Sequence, residues 1–138
     1  MELPEEHVIA IINLDEYDEV AVDEIKEDQI QLPKLGSVKI YVYDKEGKNI
    51  PHIHLEGTNY RCCVALYDAN YFIHPGKEDT LNSRQIKALV KWFDEPSGVE
   101  LDGVQLTNWQ NCCYDYDRVN ETTKFNIKNT RPDYINGL

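Results

Sequence analysis

Apolar residues alternate with polar ones over two stretches of the chain and recur at helical spacing over two others. His7 to Leu14 is dense in β-branched residues (Val8, Ile9, Ile11, Ile12) and reads as a strand. From Ser37 to Asp44, Val38, Ile40 and Val42 fall on one face and Lys39, Tyr41 and Tyr43 on the other. The polar run 45–49 is a turn, and a second strand starts near His52, which makes a hairpin. A third strand is expected from Tyr60 to Tyr67 and a fourth from Tyr71 to His74, joined by a turn at 68–70. Pro75 and Gly76 close this antiparallel meander.

Helical spacing takes over beyond it. Asn82 is a candidate N-cap with Gln85 three positions on, and Ile86, Leu89, Val90 and Phe93 form an apolar stripe. Pro96 and Gly98 are expected to end that helix. A second helix starts near Thr107, whose capping box with Gln110 precedes a stripe of Trp109, Cys112, Cys113 and Tyr116. Between the first strand and the meander lies an acidic segment, in which Glu19–Val22 suggests a short strand, followed by a helix or loop to Gln31 and a connector over Leu32–Gly36. Residues 122–138 are polar and read as a tail or a docked arm. The expected fold is α+β: an antiparallel sheet of four to six strands with two helices packed on one face. Residues 1–121 would form a single domain, with 1–36 as an acidic N-terminal extension.

A chain of 138 residues with 41% hydrophobic content suits one compact core. The longest nearly apolar run, Val8 to Ile12, is far short of the roughly 20 residues of a membrane span, and the N-terminus has no signal-peptide pattern. A cytoplasmic location is the expectation. Cysteines occur as two adjacent pairs, Cys62-Cys63 and Cys112-Cys113. Adjacent strand residues point oppositely, so each pair is expected to split between core and surface, as reduced, mostly buried thiols; a disulfide between the pairs is the alternative. Neither pair has the two-to-four-residue spacing of a zinc motif.

The net charge is −11, and fifteen of the acids fall in residues 1–69 against six bases. Such a surface repels phosphate, which argues against direct nucleic-acid binding and favours a basic partner protein. Asp15, Glu16, Asp18 and Glu19 are candidate contacts, with Tyr41 and Tyr43 from the sheet, because Tyr supplies contact area at low entropy cost. The segment Asn49–Glu56 holds the candidate chemistry. His52, His54 and Glu56 share one face of a strand, and His74 could approach from the fourth strand. Two histidines with a carboxylate can bind zinc or iron or do acid–base work; the plainer reading is a His-x-His pair on an exposed sheet face bonding its neighbours. The chain has no Gly-rich phosphate loop, Gly-x-Ser-x-Gly elbow or His-Glu-x-x-His helix.

The order Tyr41-x-Tyr43, polar turn, Pro51-His52-Ile53-His54-Leu55, further strands, Val90-Lys91-Trp92 and Trp109 resembles a family of small bacterial domains of unknown function. That family carries a Pro-Pro-His-[Ile/Val]-His-[Ile/Val] signature, and its members are proposed toxin components of toxin–antitoxin pairs. The resemblance spans about residues 37–120. Ile50 stands in place of the first signature proline, and the acidic N-terminal segment and polar tail are additional. It implies a module of a bacterial or mobile-element system that acts by binding a partner protein, with no cofactor and no transferable catalytic residues. Two further readings are a small metal-dependent hydrolase or nuclease centred on His52, His54, Glu56 and His74, with zinc as the alternative cofactor, and an acidic, phage-type inhibitor of a basic nucleic-acid-handling protein.

Overall fold

A computed structural model describes residues 3–17, 36–47, 50–58, 60–66, 71–72, 81, 83–123 and 125. Its main element is a five-stranded antiparallel sheet in the order β1-β2-β3-β4-β5, with β1 at Glu6–Asn13, β2 at Ser37–Tyr43, β3 at His52–Glu56, β4 at Arg61–Ala65 and β5 at Tyr71–Phe72. A short 3-10 turn over Leu14–Tyr17 follows β1. Helices α1 (Ser83–Asp94) and α2 (Asn108–Asn120) flank a small hairpin of β6 (Pro96–Leu101) and β7 (Val104–Thr107). The protein is thus α+β, as the pattern of its sequence predicts. The expected short strand at Glu19–Val22 lies outside the described residues.

Strand alternation decides what the sheet presents to the helices. Val38, Ile40 and Val42 of β2, Ile53 and Leu55 of β3, and Cys62 and Val64 of β4 join one buried cluster. Ala88, Leu89, Trp92 and Phe93 of α1 and Trp109, Cys112, Cys113 and Tyr116 of α2 complete it. The Trp109 indole N–H donates to the Leu66 carbonyl at 3.0 Å, so the largest core side chain leaves no polar atom unpaired. Thr107 caps α2 as expected: its hydroxyl accepts from the Gln110 N–H at 3.1 Å, and the Gln110 side chain accepts from the Thr107 N–H at 2.9 Å.

One expectation is extended and one is corrected. The helix α1 ends at Asp94, just before Pro96 and Gly98 as expected, and those two residues also belong to β6. Asp102 and Gly103 both have positive φ (51° and 82°), which closes Leu101 against Val104 in the two-residue turn whose twist matches a hairpin. The cysteine pairs do not split between core and surface. All four are buried free thiols, because the second face of the sheet is itself covered at Cys63, while Cys112 and Cys113 sit on a helix between sheet and helix layers. Phe125, beyond the end of α2, meets Trp109 edge-on at 6.0 Å, and its N–H donates to Asp117 at 3.0 Å.

Candidate functional site

The second sheet face carries a buried polar layer. Register places Tyr41 opposite His54 and His54 opposite Cys63, which aligns three side chains across β2, β3 and β4. The Tyr41 ring stacks on His54 at 5.1 Å, and Tyr43 meets His54 edge-on at 4.8 Å. The His52 and His54 side chains are 0% and 4% exposed, so the pair does not occupy an exposed face. Burial and the neighbouring Tyr43 push the Tyr41 hydroxyl far above its usual range, which keeps it neutral.

Glu46, in the turn between β2 and β3, completes the group. Its Oε2 lies 2.7 Å from His52 Nε2 and 3.4 Å from His54 Nε2, and the two ring nitrogens are 3.2 Å apart. The opposite ring atoms are also engaged. His52 Nδ1 donates to the Ile50 carbonyl at 2.7 Å, and His54 Nδ1 lies 3.2 Å from Cys63 Sγ. Burial alone would raise the Glu46 carboxyl; hydrogen bonds from His52 and His54 outweigh it and bring the pKa down to about 2.

Long-range contacts fix the turn that carries Glu46. Its carbonyl accepts from the Tyr116 hydroxyl at 2.6 Å, and its N–H donates to Asn120 Oδ1 at 2.7 Å. Asn120 also donates to the Tyr43 carbonyl at 3.0 Å. Gly47 passes so close to the end of α2 that a Cβ there would lie 3.2 Å from the Asn120 carbonyl. The C-terminal turn of α2 therefore holds the carboxylate against the histidines.

The other candidates are placed elsewhere. Glu56 shares the histidine face but pairs instead with Arg61 (2.9 Å) and Lys39 (3.5 Å) at the far end of β3. Lys39 also bonds Glu6 on β1. Tyr41 is buried and Tyr43 only partly exposed, so of these two sheet tyrosines only Tyr43 reaches the surface. Asp15 Oδ2 accepts from the Gly36 N–H at 2.9 Å, a loop-closing role, while Glu16 is exposed. His74, Asp18 and Glu19 lie outside the described residues. Glu46, Cys63 and Tyr116 are members of the site that sequence spacing does not single out.

Chemically, the three converging donors can bind a cation or share a proton, and Cys63 adds a thiol on the remote nitrogen of His54. Among the described residues His52, His54 and Cys63 also place one donor atom each within 4.8 Å of one another. Comparison with family models, curated proteins and solved structures gave no match.

Proposed function

We propose that this domain is a protein-interaction module that receives an extended, basic segment of a partner protein along strand β1. The observation that carries this reading is the character of β1. It has eight residues and, among the described residues, pairs with a strand on one side only. An edge strand offers a row of backbone donors and acceptors to an added strand. Val8 (45% exposed) and Ile11 (67% exposed) present apolar side chains there, and Leu3 precedes the strand at 81%. Register sets both Val8 and Ile11 opposite residues of the second sheet face, Tyr41 and Lys39, so they lie on one side of the edge.

Charge selects the partner. The protein carries −11, and Glu5 and Glu6 are exposed at the start of β1. A basic strand would be steered toward this edge and an acidic one repelled. A partner-binding role also agrees with the resemblance to the toxin–antitoxin-associated domains.

The test is fluorescence anisotropy with two labelled peptides of equal length, one alternating Lys with Val and one alternating Glu with Val. Tight binding of the Lys peptide alone, weakened by salt and reduced about tenfold or more in a Val8→Ser/Ile11→Ser variant, is the expected result. Equal affinity for both peptides, or unchanged affinity in the folded double variant, would refute the reading. Concentration-dependent dimerisation abolished by the same substitutions would also refute it, because the edge would then serve a second copy of the chain.

A further inference from the structure

Glu46 Oε2, His52 Nε2 and His54 Nε2 converge within 3.4 Å of one another. His52 donates through Nδ1 to the Ile50 carbonyl, which turns Nε2 toward the other two groups. His52 Nε2 lies 2.7 Å from Glu46 Oε2 and 3.2 Å from His54 Nε2, with His54 Nε2 and Glu46 Oε2 at 3.4 Å. Contacts this short in a buried setting need a proton or a metal ion among the three groups. A proton can bridge one edge of the triangle. A metal ion can satisfy all three corners.

We infer that Glu46, His52 and His54 form a binding site for a divalent first-row transition-metal ion, zinc foremost. Bonds of about 2.0–2.1 Å to tetrahedral zinc set neighbouring ligand atoms roughly 3.3 Å apart. Two edges of the triangle, 3.2 and 3.4 Å, already have that length. The third, at 2.7 Å, must open by a few tenths of an ångström. The Glu46 side chain can supply this movement, because it is the most exposed of the three at 15%.

The surroundings match what such ligands require. A ligating histidine ordinarily donates its remote N–H to a carbonyl or another acceptor, which fixes the ring and raises its basicity. His52 does so to Ile50, and His54 places its remote nitrogen 3.2 Å from Cys63 Sγ. Cys63 is therefore a supporting neighbour and not a ligand, since it occupies the nitrogen opposite the triangle. Two imidazoles and one carboxylate favour zinc, iron, cobalt or nickel over calcium or magnesium, which prefer all-oxygen sites.

The position of the site points to what the ion does. Both rings are almost fully buried, which leaves little room for a substrate, whereas Glu46 is bonded through its backbone to Tyr116 and Asn120 of α2. An ion held there clamps the β2–β3 turn to β3 and, through the turn, to α2. It acts on stability and is independent of the partner edge at β1.

Purified full-length protein, stripped with chelator and then titrated with Zn²⁺ or Co²⁺, tests this directly. The expected result is uptake of one ion per chain, a melting temperature that rises with metal concentration, and a visible Co²⁺ spectrum of tetrahedral intensity without a thiolate charge-transfer band. Glu46→Gln and His54→Gln should each weaken binding at least tenfold. Absence of stoichiometric uptake by the wild type would overturn the inference, as would undiminished uptake by both variants. A thiolate band would overturn it as well, by moving the ion to Cys63; this and the first criterion are read on the wild type and do not depend on any variant folding.

Discussion

Period-two alternation is enough to place His52 and His54 on one face, and the structure joins their Nε2 atoms at 3.2 Å. The same rule makes Glu56 a companion, yet two residues of strand are about 6.6 Å, and at that distance Glu56 meets Arg61 and Lys39 instead. The carboxylate that does reach the rings is Glu46, six positions before His52 and across a turn. No spacing rule marks it, because its position is set by how that turn docks on α2. Removing a turn anchor should show this. Tyr116→Phe deletes the buried hydroxyl bonded to the Glu46 carbonyl and loses that part-buried hydrogen bond. A loss of about 1–3 kcal/mol in urea-unfolding free energy is expected, with the slope of the transition unchanged. Gly47→Ala tests the same docking sterically: the added methyl must push the turn from the Asn120 carbonyl, so a smaller loss is expected.

Elements were legible where a local signal and a long-range requirement agreed. The α2 capping box is the clearest case, since Thr107 and Gln110 satisfy each other's backbone before any packing is considered. Thr107→Ala should cost about 1 kcal/mol in chemical denaturation. The β6–β7 hairpin was hidden by competing signals. Pro96 and Gly98 are strong helix terminators, and reading them as such leaves no strand to find. Asp102-Gly103 is itself a hairpin signal, but the flanking apolar residues Val99, Leu101 and Val104 are too few, and Val99 and Val104 too exposed, to give a clear alternation. At φ 82° Gly103 adopts a backbone that any other residue disfavours. Gly103→Ala should therefore destabilise by about 1–2 kcal/mol, despite open space around it, and Asp102→Gly should not.

Across the whole molecule, pattern and composition foretold the α+β class but not which face of the sheet is wet. The cysteines show why. Alternation does send Cys62 and Cys63 to opposite faces, but Cys63 lies in a second buried layer with Tyr41 and His54. Opposite is not the same as exposed. All four thiols are expected to resist a water-soluble disulfide reagent in native buffer, where burial also pushes the Cys112 and Cys113 thiols up, and to react together on unfolding.

A second whole-molecule contact ties the segment after β1 to the end of α1, where the Tyr17 hydroxyl donates to Glu95 Oε1 at 2.8 Å. That hydrogen bond, with smaller contributions from burial and the acidic neighbours, raises the Tyr17 pKa from 10.0 to about 12. A group whose pKa is raised by folding stabilises the native state fully below its unfolded value. Its contribution is then lost as pH climbs through the folded one. Wild-type stability should exceed that of Tyr17→Phe by a constant margin below about pH 10 and approach it between pH 10 and 12. Parallel urea titrations of the two proteins at stepped pH would measure the difference. A margin that persisted unchanged at pH 12 would mean that the tie to Glu95 is not what holds this turn against α1.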